Sequence, residues 1–184
     1  MLVHAHGFAV NRGIAEHVRV ELDVRGGLPN FCVIGLGAGA ARDARERVQA
    51  AVLNSGFGFP RKRLTANLAT GAAPRSGAAF DLVLACCVLA VQEHLDASRL
   101  ARIGLFAELG LGGDLRPGPS VAAVAEAAGA AGLAGLVVAD GDLRDARAVG
   151  AVAVVGLRSL TAVAALLSGR SGAGRPRSGR AVAS

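Results

Sequence analysis

Between residues 16 and 24 the chain alternates strictly: Glu16-His17-Val18-Arg19-Val20-Glu21-Leu22-Asp23-Val24. Period two places Val18, Val20, Leu22 and Val24 on one face of a strand and the charged or polar residues on the other. Such a strand belongs to a sheet with one face on a core and the other in reach of water. The core beneath it is built from small residues, because 52% of the 184 residues are hydrophobic but only 3% are aromatic, with no Trp or Tyr. Ala, Val and Leu each bury little area, so helices and strands must approach closely. The length suits one domain.

The other elements follow from similar patterns. Gly26-Gly27 punctuates the chain, and residues 31–34 read as a second strand in a hairpin-like run, with residues 3–10 a candidate third. Residues 40–53 have helical spacing: Ala44, Val48, Ala51 and Val52 line one face, while Arg42, Asp43, Arg45, Glu46 and Arg47 suit a solvated face with local ion pairs. Gly56 is placed to cap that helix. Residues 63–69 suit a strand, and residues 80–91 a buried helix after a loop rich in Gly, Ala, Pro and Ser. Residues 103–111 form a strand candidate, with Gly112-Gly113-Asp114 turning into a short strand. An Ala-rich helix over 121–131, short buried strands at 136–138 and 152–155, and a last helix from Ser159, its N-cap, complete the reading. The fold class is α/β: antiparallel strands first, alternating elements afterwards.

The formal net charge is +6. Arg170, Arg175, Arg177 and Arg180 supply four of those charges, so the remainder carries only +2. The expected division is an ordered domain over 1–169 and a disordered basic Gly/Ser/Arg linker or tail over 170–184. Cys32, Cys86 and Cys87 are odd in number and two are adjacent, which suits free thiols in a reducing compartment. The first residues carry no signal-peptide pattern, and the longest apolar run, 82–91, is half the roughly 20 residues a bilayer requires. The expected location is cytoplasmic, with no membrane partner.

Gly35-Leu36-Gly37-Ala38-Gly39-Ala40 follows a strand and opens a helix, fitting the glycine pattern whose amides approach a pyrophosphate. That motif also needs an acid about 20 residues on for the ribose, and Ser55-Gly56-Phe57-Gly58-Phe59-Pro60 has none. A nucleotide- or dinucleotide-binding enzyme using Gly35, Gly37 and Gly39 is therefore the weaker alternative. The P-loop requires a Gly-Lys-Ser/Thr ending, and the one lysine, Lys62, lies in Pro60-Arg61-Lys62-Arg63. His4 and His6 share a strand face, whereas His17 and His94 stand alone and no cysteine pair has zinc spacing, so no metal is expected. Arg61, Lys62, Arg63 and Arg75 are the candidate nucleic-acid contacts, since clustered cations are the minimum for holding phosphate. Without aromatic stacking partners in the cluster, single-strand binding is disfavoured.

Several segments in order resemble one family. They are Gly27-Leu28-Pro29-Asn30-Phe31, Val33-Ile34-Gly35-Leu36, Arg42-Asp43-Ala44-Arg45-Glu46-Arg47-Val48, Asn54-Ser55-Gly56-Phe57, Phe59-Pro60 and Arg63-Leu64-Thr65-Ala66-Asn67-Leu68-Ala69. Phe80-Asp81-Leu82, Glu108-Leu109, Gly113-Asp114-Leu115-Arg116-Pro117 and Val154-Val155-Gly156-Leu157 continue the series. Together they resemble the N-terminal domain of ComM/YifB-type magnesium-chelatase-like AAA+ ATPases, over about residues 1–169. Departures lie in Gly35-Leu36-Gly37, Pro74-Arg75-Ser76-Gly77, Ala107-Glu108-Leu109 and Gly118-Pro119-Ser120.

The resemblance implies a Lon-protease-like fold (ribosomal protein S-five domain two-like), a mixed sheet with packed helices preceding an ATPase module. Members of the ComM type act as hexameric motors on DNA in branch migration during natural transformation, and chelatase relatives drive magnesium insertion into porphyrin. ATP and magnesium are expected only for the ATPase module, which this sequence does not include. The implied partners are that module or neighbouring subunits, DNA and further copies of the chain. A Lon-like peptidase needs a serine activated by a lysine of lowered pKa. By position those sites fall near Ala79 and Ala122, with neither group present; Ser76 is nearby without a lysine to activate it. The expectation is a non-catalytic assembly or interaction domain, the rivals being the glycine-loop enzyme and an inactive structural remnant.

Overall fold

The computed structural model describes residues 1–69 and 78–168. The tail over 170–184, Arg75 and Ser76 lie outside the described residues.

β1 (Leu2–Asn11) and β2 (Ile14–Arg25) form a long antiparallel hairpin. Its two-residue turn, Arg12-Gly13, has φ of 51° and 81°, the positive pair whose twist matches a strand pair. β2 has the expected parity: Val18, Val20 and Leu22 are buried, and Val24 packs against the same core. β3 (Asn30–Ile34), α1 (Ala38–Asn54) and β4 (Arg63–Ala69) follow. The seven-stranded sheet continues through β5 (Ile103–Phe106), β8 (Gly135–Ala139) and β9 (Val154–Leu157), in the order β3-β4-β2-β1-β5-β8-β9. Pairings β1·β2 and β2·β4 are antiparallel, and the remaining four are parallel. A two-stranded ribbon joins β6 (Glu108–Leu109) to β7 (Leu115–Arg116).

Two expectations are corrected here. β3 is not part of a hairpin run with β2: β4 lies between them, antiparallel to β2 and parallel to β3, so β3–α1–β4 is a βαβ unit. The crossover helix carries the chain over the sheet and returns it in the same direction. The single strand expected over 103–111 is broken at Ala107. β5 lies in the main sheet, whereas β6 leaves it because the following turn folds back, with Gly110 N–H donating to Asp114 O at 2.8 Å and Gly113 at φ +84°.

α1 and α2 (Asp81–Ala90) cover one face with α6 (Leu160–Leu167), and all ten positions of α2 are buried, as a helix without a wet face requires. Ala44, Val48, Ala51 and Val52 are the buried positions of α1. On the opposite face α4 (Val121–Ala130) and α5 (Leu143–Ala148) pack around Phe8, Phe106, Leu136 and Val138. α3 (Ala97–Leu100) and α5 are too short for a periodic signal and have no counterpart in the sequence reading. Ser159 caps α6 as expected, its hydroxyl oxygen accepting from Ala162 N–H. The three cysteines are free, with Cys86 and Cys87 buried.

Candidate nucleic-acid interface

The βαβ unit positions the candidate site. α1 ends in a turn in which Gly56, at φ +83°, donates to Leu53 O and Phe57 N–H donates to Val52 O, a glycine cap that reverses the chain. The reversed segment runs beside α1 toward β4. Between them lies a groove of about 740 Å³, its walls including Phe31, Arg45, Gln49, Phe59, Arg61 and Lys62. Glu46 is the one carboxylate among its lining residues, against the three cations Arg45, Arg61 and Lys62.

Arg45 is anchored: its guanidinium donates to Phe31 O at 3.1 Å. That carbonyl lies on the outer side of edge strand β3, since Asn30 N–H donates inward to Lys62 O. Arg61 and Lys62 are exposed and make no ion pair among the described residues.

The structure divides the predicted contact set. Arg61 and Lys62 line the groove, but Arg63 lies elsewhere, in a cavity of about 320 Å³ that also includes Glu21, Asp23, Arg25, Thr65 and Asn67. Strand β4 begins at Arg63, and alternation with buried Leu64 sends the arginine to the opposite sheet face. Arg75 lies outside the described residues.

The absence of aromatic partners is also corrected. Phe59 lines the same groove as the cations, with its ring centroid 5.8 Å from that of Phe31 and the planes tilted by 52°. Phe31 comes from β3 and Phe59 from the loop before β4, so their proximity depends on the crossover. The signal available in sequence was Phe57-Gly58-Phe59-Pro60 running directly into Arg61-Lys62.

Arg47 does not share the solvated face expected for it. It donates to both carboxylate oxygens of Asp81 at 2.5 and 3.1 Å, and Asp81 is 1% exposed. Burial raises the aspartate from its ordinary 3.8 to about 6, outweighing the opposing effect of the guanidinium, while Glu108 adds repulsion. Arg47 is itself raised, chiefly by its bond to Asp81. The pair ties α1 to α2 and so fixes the wall from which Arg45 and Gln49 project.

The glycine loop has mixed roles. A side chain at Gly35 would meet Leu68 O at 2.5 Å, and its φ is +96°, so glycine is required by the fold. Gly37 and Gly39 face open space at the start of α1, with no acid in its first turn. Ala79 is half-buried and Ala122 exposed, each carrying only a methyl where a dyad would need a hydroxyl and an amine.

His17 is not isolated. His6 Nδ1 and His17 Nε2 are 2.8 Å apart across the hairpin, and His6 Nε2 is 3.0 Å from Ala101 O. Burial lowers both imidazoles from the usual histidine value. Among the described residues no three His, Cys, Asp or Glu side chains converge to hold a metal ion, and no helix is long and apolar enough to cross a membrane.

Comparison with known proteins places this geometry in a family. The uncharacterized protein YifB of Salmonella typhimurium is 39% identical over 111 residues, 60% of this chain and 22% of the relative. YifB of Escherichia coli is 38% identical over 111 residues, again 60% and 22%. The competence protein ComM of Haemophilus influenzae is 40% identical over 102 residues, 55% of this chain and 20% of ComM. The chain thus matches about a fifth of the length of these relatives. The family profile described as subunit ChlI of Mg-chelatase matches residues 20–142, about two thirds of the sequence, and the chain belongs to that magnesium-chelatase ChlI family.

Proposed function

We propose that this chain is a non-catalytic, Lon-protease-like interaction domain of a magnesium-chelatase-like AAA+ ATPase, and that it presents its α1 groove to DNA in the cytoplasm. The observation that carries the reading is the groove itself: three cations against one carboxylate, with Arg61 and Lys62 exposed. Phosphate contacts of this kind supply affinity without sequence choice. The mixed sheet with helices on both faces is compatible with a Lon-like fold, and the name of the competence protein ComM agrees with a DNA-directed role. ATP hydrolysis, with its magnesium, belongs in this reading to the ATPase module, and neighbouring subunits are the other partners.

The test is fluorescence anisotropy with labelled single-stranded and branched DNA across a salt series, using the full chain. Substituting both Arg61 and Lys62 by alanine is expected to weaken binding and flatten its salt dependence. Replacing Arg170, Arg175, Arg177 and Arg180 by alanine distinguishes the folded body from the tail. Binding lost only with the tail arginines, or absent altogether, refutes the groove reading and favours an inactive remnant.

A second reading gains support from the βαβ unit, which places open Gly37 and Gly39 at the start of a 17-residue helix. It is a nucleotide-binding enzyme using that loop. Saturable nucleotide binding abolished by Gly37→Val supports it, and no binding by the unaltered chain removes it.

A further inference from the structure

We infer that the α1 groove takes an unpaired nucleotide, with the base stacked on Phe59 and the flanking phosphates on Arg61 and Lys62, so that its preferred occupant is single-stranded nucleic acid. The inference rests on the proposed DNA-facing role and specifies what the same groove selects.

Cations alone would hold duplex and single strand alike, because every strand carries phosphates. Phe59 changes that balance. Its ring belongs to the groove lining beside a nearly buried Phe31, and the tilted arrangement of the two rings supports an apolar wall within a cationic groove. A base inside a duplex has both faces covered by its neighbours and cannot use such a wall, whereas an unstacked base can.

Chain order reinforces the placement. Phe59 precedes Arg61 and Lys62 by two and three residues, so the stacking wall and the phosphate contacts project from one short segment, as a base and its own backbone require. Asn30 and Gln49, also in the groove lining, offer side-chain amides that make no hydrogen bond within the described protein to compete with a base edge. The volume of about 740 Å³ falls within the roughly 300–1,000 Å³ typical of small-ligand sites, which accommodates a nucleotide. An acidic peptide would satisfy the cations but would leave the aromatic wall without a planar partner.

The experiment uses the full chain, a labelled oligothymidine and a duplex of equal length, each titrated by anisotropy at several salt concentrations. Phe59→Leu is expected to weaken oligothymidine binding about tenfold, leaving its salt slope and the duplex affinity unchanged. Substitution of Arg61 and Lys62 by alanine is expected to weaken both ligands and lower the single-strand salt slope by roughly 1.4. Phe57→Leu is the control, because Phe57 packs against His94 outside the groove lining, and it should leave affinity unchanged. Photocrosslinking of the unaltered protein to 5-iodouracil-substituted oligonucleotide should label the 58–62 segment that lines the groove, a readout independent of whether Phe59→Leu folds.

If Phe59→Leu folds and retains full single-strand affinity while the double alanine variant loses both ligands, the stacking inference falls and the DNA-facing role survives. A crosslink outside the groove likewise overturns the inference. No binding to either nucleic acid removes both, and binding of polyglutamate in their place reassigns the groove to an acidic peptide.

Discussion

Removing the guanidinium from the Arg47–Asp81 pair should destabilise the protein in a strongly pH-dependent way. Asp81 is almost wholly buried, and its pKa is raised from 3.8 to about 6 although two nitrogen–oxygen contacts from Arg47 oppose that rise. A raised folded-state pKa means that the folded protein binds more protons than the unfolded chain between those values. The contribution of Asp81 is therefore fully present below 3.8 and lost as pH rises through about 6. At about 1.36 kcal/mol per unit, that loss is about 3 kcal/mol. Deleting one partner of a buried pair costs about 3–5 kcal/mol. Arg47 is 31% exposed and already shares its charge with solvent, which favours the lower end of that range. Arg47→Leu should thus cost about 3 kcal/mol at pH 7.5, and much less at pH 5, where Asp81 is largely protonated. Urea unfolding followed by circular dichroism at the two pH values provides the assay, with Asp81→Asn expected to flatten the pH dependence. An equal cost of Arg47→Leu at both pH values would refute the electrostatic reasoning and leave Arg47 as an apolar stem packed between helices.

Three other perturbations have defined outcomes. Arg147 donates to Val154 O at 3.1 and 3.2 Å on the open side of edge strand β9, so Arg147→Ala should expose that edge and increase concentration-dependent association in sedimentation velocity; unchanged monomer content would refute edge protection. His6 and His17 have lowered pKa values, so their contribution to stability is present above 6.5 and lost as pH falls through the lowered folded values; NMR titration should find both rings protonating below 6.5, and midpoints at or above it would refute the assignment. Gly35→Ala should cost about 2 kcal/mol or more in chemical denaturation because φ is positive and Leu68 O blocks the new methyl, whereas Gly37→Ala, at φ −59° with no close neighbour, should cost no more than about 1 kcal/mol, the loss of a glycine N-cap to α1; equal effects would refute the distinction.

Periodicity revealed which faces were buried, but not which elements became neighbours. The four apolar positions of α1 and the alternation of β2 were legible because burial repeats with helix or strand geometry. The insertion of β4 between β3 and β2 was not, since the same alternation suits either neighbour and the crossover alone determines the order. The helical pattern places Arg47 on the solvated face for the same reason: its partner Asp81 is 34 positions away, beyond the reach of any helical repeat. Phe31 and Phe59 likewise meet only after the βαβ unit closes.

The division of the basic triplet was within reach of the sequence. Once residues 63–69 are a strand, Leu64, Ala66 and Leu68 must share the core face, and Arg63, Thr65 and Asn67 the other. Arg61 and Lys62 precede the strand and are free of that parity. The boundary of β4 therefore divides the three consecutive cations, which do not form one patch. The groove that results is narrower in charge than the triplet suggests, and it has an aromatic wall that charge alone would not predict. Its discrimination should therefore come from the geometry of the loop before β4 as well as from basicity. Arg63→Ala should therefore leave nucleic-acid affinity and its salt slope nearly unchanged in the anisotropy titration, whereas Lys62→Ala weakens binding. An equal loss from the two substitutions would show that position 63 reaches the same ligand and would refute the parity argument.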